Sequence, residues 1–189
     1  GTSMGAIIGG MYALGYSPDE MEQIIRSVNW DEYMSDYIDR SSMSFEMKRK
    51  ATALWTEIPF NSAKNIKIRN TLPGGFISGN NILNLFNSLC VGYNREMDFD
   101  KLPLPFACVA TDIVTGEQVN FRHGVLAQCM RASMAIPGVF APVRIGDKVL
   151  IDGGMLDNFP VDVCKEMGAD IVIGVTVSNK YKPADEVNA

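Results

Sequence analysis

Two short stretches carry residue types that perform acyl chemistry when brought together. The first is Gly1-Thr2-Ser3-Met4-Gly5, a G-x-S-x-G pattern running into the small-residue stretch Ala6-Ile7-Ile8-Gly9-Gly10. The second is Ile151-Asp152-Gly153-Gly154, far down a chain of 189 residues. A serine hydroxyl is a poor nucleophile until it is presented on a tight turn next to a base. A strand–turn–helix elbow presents it, with flanking glycines such as Gly1 and Gly5 permitting backbone angles and close approaches that a Cβ blocks. The N–H of the next residue, Met4, then faces the place where an oxyanion forms, and the positive end of the following helix adds to that field.

Each stretch alone has an ordinary reading. G-x-S-x-G also suits a Gly/Ser loop before a closely packed helix, and Asp-Gly is a common turn in which the aspartate caps its own loop. Together they offer more. An aspartate within hydrogen-bond reach of Ser3 can take the hydroxyl proton during attack and return it to the leaving group. A Ser-His-Asp triad would have to run through His123, the single histidine. In Arg122-His123-Gly124, between an expected strand and an expected helix, a loop or capping role is the default for that imidazole.

The elements that must hold these residues are readable from period and punctuation. Residues 4–14 read as a helix with a small-residue packing face, ended by Gly15. Ser17-Pro18-Asp19-Glu20 is a second helix start, with Ser17 as N-cap, Pro18 at N1 and Glu20 at N3. Met21, Ile24, Ile25 and Val28 then fall on one face of that helix, and the mixed segment from Trp30 to Arg40 suits another short helix. Residues 41–80 lack a clear period. Ala51 to Ile58 and Ile66 to Thr71 are candidate strands, 72–79 reads as a glycine-rich loop, and Asn80 or Asn81 caps a helix through Leu89. No phosphate-binding glycine pattern is present in that loop.

Further on, Phe106 to Thr111 reads as a buried strand, Gly116 as a turn, and Glu117 to Arg122 as its partner strand. Val125 to Met134 and Val161 to Met167 read as helices. Lys148 to Ile151 is a strand that ends at Asp152, and the β-branched run Ile171 to Val177 suits a central parallel strand. This alternation argues for a three-layer α/β/α fold with a mostly parallel central sheet, in one domain. Ser3 and Asp152 would both lie at the carboxyl edge of that sheet.

Composition narrows the function classes. Hydrophobic residues make up 47% and charged residues 21%, as in ordinary globular domains. A net charge of −5 gives no general attraction to nucleic acid or to anionic membrane surfaces. The local run Lys48-Arg49-Lys50 reads as a solvated face. Ala6 to Tyr16, the longest nearly apolar run, is too short and glycine-rich to span a bilayer. Cys90, Cys108, Cys129 and Cys164 are widely spaced among apolar neighbours, which suits buried free thiols rather than disulfides or a zinc site. The chain starts at the elbow itself, without a Met or the strand that an elbow follows. The expectation is therefore the later part of a longer protein.

The ordered set of motifs resembles the patatin-like phospholipases. It comprises Gly1-Thr2-Ser3-Met4-Gly5, Arg131-Ala132-Ser133-Met134-Ala135-Ile136-Pro137-Gly138-Val139-Phe140-Ala141-Pro142-Val143, and Asp152-Gly153-Gly154. Ala110-Thr111-Asp112 and Thr115-Gly116 place it nearest the bacterial branch similar to the catalytic domain of neuropathy target esterase. The resemblance runs from end to end and is least diagnostic over residues 41–95. It implies a patatin-like α/β fold and a Ser–Asp dyad hydrolase, with Ser3 as nucleophile and Asp152 as base. Met4, Gly1 and Gly5 would shape the elbow and oxyanion site, and Gly153 and Gly154 would support the aspartate. It further implies acyl-ester substrates, chiefly phospholipids or lysophospholipids, transient membrane contact, no nucleic-acid partner and no metal or other cofactor.

The 133–142 segment would be structural. The family's glycine-rich oxyanion loop, which precedes the elbow, has no counterpart in these residues. Loss of one oxyanion donor costs about a hundred- to a thousand-fold in turnover, so the 189 residues alone are expected to be inactive or poorly folded. A transacylase using the same dyad, or a lipid-binding domain without catalysis, are the rival readings. Met34, Tyr37, Met43, Phe45 and Met47 could line an acyl site, although such spacing more often marks core.

Overall fold

The computed structural model describes residues 1–36 and 75–176. The helix that follows the elbow, α1 (Met4–Ala13), buries Ala6, Ile7, Met11 and Ala13. Its small residues let α5 (Leu126–Ser133) come close: a Cβ on Gly10 would stand 2.5 Å from Met130 Sδ. Helix α2 (Pro18–Ser27) begins with the expected capping box, Glu20 N–H donating to Ser17 Oγ and Ser17 N–H to Glu20 Oε2. Met21 is buried and Ile24 and Val28 pack on the core, whereas Ile25 is exposed. The apolar stripe is therefore narrower than the sequence suggested. Helix α3 is a single turn (Trp30–Tyr33), and α4 (Asn80–Leu89) supplies Ile82, Leu85 and Phe86 to the same core. The start of α4 is capped by backbone geometry at Gly79 and by no asparagine side chain; Asn81 instead donates to Glu32 O and Ser35 O.

Among the described residues, three small sheets accompany the helices. A parallel pair joins β1 (Gly75–Ile77) to β6 (Gly138–Phe140), so part of the expected 72–79 loop is strand. An antiparallel pair joins β2 (Met97–Asp98) to β5 (His123–Gly124). The third sheet has the order β4-β3-β8-β7, built from β3 (Cys108–Asp112), β4 (Glu117–Phe121), β7 (Val143–Ile145) and β8 (Lys148–Asp152). Every pairing in it is antiparallel.

The expected mostly parallel central sheet is not seen among the described residues, whose largest sheet is antiparallel, while the mixed helices and strands agree with an α/β fold. The physical reason is local. The tight turn with Gly116 at φ 74° folds β4 straight back on β3, and β7 turns directly into β8. The run expected as a central parallel strand has no strand in its described part, residues 171–176, and Ile171, Ile173 and Val175 are exposed. The candidate strands Ala51–Ile58 and Ile66–Thr71, the basic run Lys48-Arg49-Lys50, and Tyr37, Met43, Phe45 and Met47 lie outside the described residues. After the sheet comes α6 (Val161–Glu166), the last helix among the described residues.

Strand β3 is the buried axis of the larger sheet, with all five residues buried. Cys90, Cys108 and Cys129 are buried free thiols and Cys164 is half-buried, so no disulfide is present. Burial pushes the Cys90 thiol up to about 11 and the Cys129 thiol to about 12.

Candidate active site

The site is assembled along one edge of β3. Backbone groups in a strand alternate sides, so residues 109, 111 and 113 face the same edge. Strand β8 occupies the far part of that edge, pairing Asp112 with Leu150, Thr111 with Ile151 and Ala110 with Asp152, and Ile113 N–H donates to Val149 O at 2.9 Å. The near part belongs to the first residues of the chain. Gly1 N donates to Ala107 O at 2.8 Å, Val109 N–H donates to Gly1 O at 3.1 Å, and Thr2 bridges Val109 as a parallel partner. One segment runs up the edge and the other runs down it. They meet head to head at Val109 and Ala110, where each chain turns away: one at Ser3 and the other at Asp152.

At Ser3 the turn is strained. Its φ of 54° and ψ of −121° make it the sole non-glycine residue with positive φ among the described residues. Such a conformation costs about 1–3 kcal/mol and persists only where the surroundings over-determine it. Here Gly5 N–H closes the turn onto Thr2 O at 2.8 Å and Ala6 N–H onto Ser3 O at 2.9 Å. A side chain at Gly1 would collide with the Gly5 carbonyl, so this glycine is required by close approach. The same test at Gly5 finds open space, so nothing in the protein itself demands glycine there. Met4 N–H, the first of α1, has no acceptor among the described residues. The Met4 side chain is exposed, as are Ile136, Met155 and Leu156 beside the aspartate loop.

Asp152 is 6% exposed. Its Oδ1 accepts from Gly154 N–H at 2.7 Å, and its own N–H donates to Ala135 O at 2.9 Å. Gly153 is the contact between the two turns. A Cβ there would overlap Val109 O and stand 3.1 Å from Thr2 Cγ2. Asp157 then ties the aspartate loop back: its carbonyl accepts from Thr2 Oγ1 at 2.9 Å and its Oδ2 from Gln118 Nε2 at 3.1 Å. Ser3 Oγ and the Asp152 carboxylate share no hydrogen bond in this structure. The two turns approach each other at Gly153, which lies against Thr2 and Val109 O.

The structure therefore brings Ser3, Met4, Asp152, Gly153 and Gly154 to one place and leaves His123 out. The imidazole is exposed and lies 3.3 Å from Glu96 on the small β2–β5 pair. Among the described residues, no group of three or more His, Cys, Asp or Glu is placed to hold a metal. Met34 is exposed at the end of α3.

Three further residues shape this region; Thr2, Ser133 and Arg131 lie within the motifs quoted above, but their contacts could not be read from them. Thr2 anchors the turn from below. Ser133, fully buried at the end of α5, accepts from Ser3 N–H at 3.0 Å and donates to Val109 O at 2.6 Å. Arg131, also buried, donates to Ser78 O, Gly79 O and Ala141 O at 3.0, 3.4 and 3.2 Å, with its guanidinium carbon 4.7 Å from the Phe140 ring centroid. Burial lowers its pKa to about 10, which leaves it charged at neutral pH.

With this geometry in hand, likeness to other proteins is informative. Residues 1–165 match the family model described as patatin-like phospholipase. A Mycobacterium tuberculosis protein described as an uncharacterised NTE family protein is 30% identical over 178 residues, which is 94% of this chain and 40% of that protein. Patatin-like phospholipase domain-containing protein 7 of Rattus norvegicus is 26% identical over 182 residues, 95% of this chain and 11% of its own length. A patatin-like phospholipase domain-containing protein of Caenorhabditis elegans is 29% identical over 181 residues, with 95% and 11% covered. The chain thus spans less than half the length of these relatives.

Proposed function

Since the chain belongs to the patatin-like phospholipase family, we propose that it is a lipid acyl-ester hydrolase working through Ser3 and Asp152. The observation that carries this reading is the head-to-head junction on β3, which turns a strained serine and a buried aspartate out of the sheet at the same point. Ser3 Oγ attacks the ester carbonyl carbon while its proton passes to the Asp152 carboxylate. The carbonyl oxygen becomes an oxyanion facing Met4 N–H and the N-terminal end of α1. The C–O bond to the alcohol then breaks, and the protonated Asp152 gives its proton to the departing oxygen. Water attacks the resulting acyl-enzyme, yields its proton to Asp152, and releases the fatty acid. Proton transfer back to Ser3 Oγ restores the starting state.

The Gly154 N–H held by Asp152 Oδ1 fixes the carboxylate plane and leaves Oδ2 for the serine. Met4, Ile136, Met155 and Leu156, exposed and close in sequence to Ser3, Ala135 and Asp152, are apolar side chains suited to meet acyl chains and the lipid surface that holds them.

A fluorophosphonate probe on the full-length protein, with peptide mapping, tests the reading. Expected is a single adduct on Ser3, lost in Ser3→Ala and sharply reduced in Asp152→Asn. Folded protein that takes no adduct would overturn it in favour of lipid binding without catalysis. Product analysis on phospholipid with an added alcohol separates hydrolysis from acyl transfer.

A further inference from the structure

A parallel ladder has evenly spaced rungs. Along the Gly1–Ser3 stretch the first two are regular, Gly1 N to Ala107 O and Val109 N–H to Gly1 O. The next would run from Ser3 N–H to Val109 O. That rung is taken instead by a side chain from another element, with Ser133 Oγ accepting from Ser3 N–H and donating to Val109 O. The hydroxyl thus sits inside the ladder. It satisfies both backbone groups while holding Ser3 away from β3, and the displaced serine takes the positive φ that begins the elbow. Two residues on, Ala135 O accepts the Asp152 N–H. A three-residue segment at the end of α5 therefore grips the backbone of both proposed dyad residues.

We infer that Ser133 is a positioning residue for the nucleophile: its hydroxyl, wedged between Ser3 N–H and Val109 O, sets the elbow and the distance from Ser3 to Asp152. This rests on the hydrolase reading above. Removing the hydroxyl leaves two choices. Either Ser3 N–H and Val109 O lose their partners in a buried place, or Ser3 closes directly onto β3, which relaxes the turn and withdraws Oγ from the aspartate. Both choices displace the nucleophile, and a displacement of about 1 Å lowers the rate on the order of a hundredfold.

The test compares Ser133→Ala, Ser133→Cys and Ser133→Thr with the unaltered full-length protein. The readouts are the rate constant for fluorophosphonate labelling at Ser3, kcat and KM on a short-chain chromogenic ester, and Tm. Expected for Ala and Cys is slower labelling, on the order of a hundredfold, with kcat falling and KM little changed. Thr keeps a hydroxyl and recovers most of the labelling rate even where its extra methyl lowers Tm. A role confined to packing predicts the reverse order, with Cys, closest to serine in size, behaving best and rates following Tm. Wild-type labelling in folded Ala or Cys protein would overturn the inference; should Ala not fold, Cys decides. Absence of label on the unaltered protein is a different result, and it overturns the hydrolase reading and this inference together.

Discussion

Gly153→Ala puts one methyl group where the Gly1–Ser3 segment meets the end of β8. The added Cβ would overlap Val109 O and stand 3.1 Å from Thr2 Cγ2. Val109 O cannot easily retreat, because it accepts from Ser133 Oγ at 2.6 Å and belongs to the fully buried β3. Thr2 is equally fixed, by its bridge to Val109 and its hydroxyl bond to Asp157 O. Ordinary contact distances are restored only if the end of β8 moves by about 1 Å, and Asp152 moves with it. Overpacking of this kind lowers stability by about 1–3 kcal/mol. If Asp152 is the general base proposed above, a shift by that distance lowers kcat on the order of a hundredfold. Urea unfolding gives the first quantity, and steady-state kinetics on a soluble ester, corrected for folded fraction, gives the second. Gly5→Ala is the matched control for stability: its Cβ meets nothing within 4 Å, and within α1 it stabilises by up to about 1 kcal/mol. A Gly153→Ala protein with unaltered stability and kcat would refute the claim that the two segments abut on β3.

Three other outcomes follow from the packing. Val114 N–H, then Val149 N–H, the Thr115 hydroxyl and the charge of Lys148 hold the Asp112 carboxyl below the usual carboxylate range. A depressed folded value means that its stabilisation is complete above about pH 4, the unfolded value, and is lost as pH falls through the lower folded one. Asp112→Asn therefore flattens the acid limb of the urea midpoint against pH, and an unchanged limb would exclude the effect. Among the four cysteines only half-buried Cys164 should react with Ellman's reagent in native protein, the others reacting on unfolding; equal rates would contradict the described core. Arg131→Lys replaces a fork that reaches three carbonyls with a point donor. It should lower unfolding free energy by about 1–3 kcal/mol, measured by urea titration.

The local elements were readable because their signals are local. Ser17 and Glu20 form the capping box that their spacing announces, and the turn read at Gly116 gives the β3–β4 hairpin. Ser3 and Asp152 were readable as residue types on turns that end buried chain. Their meeting point was not, because it depends on which edge of β3 each segment takes, and edge choice leaves no period in the sequence. The Ile171–Val177 run misled for a related reason: β-branched composition states a preference for strand, while pairing needs a partner at the right edge. Ser133 was readable as the start of a structural segment, but its bridge from Ser3 N–H to Val109 O was not, because a buried serine at a helix end looks like any other small residue until its acceptor and donor are seen. Arg131 was quoted as part of the same motif, but no sequence cue pointed to the three carbonyls gathered around it.

The sharing of one edge of β3 also governs when the site comes into being as the chain folds. Thr2 finds Val109 across more than half the sequence, and Ala110 finds Asp152 by a second, independent loop closure. Non-local pairings of this sort form late, after local helices and hairpins have gathered the chain. A nascent or partly unfolded molecule can thus hold α1, α5 and the β3–β4 hairpin and still have no dyad. In the proposed mechanism, competence to cleave esters arrives with the last long-range pairing, so labelling at Ser3 during refolding would serve as a clock for its completion.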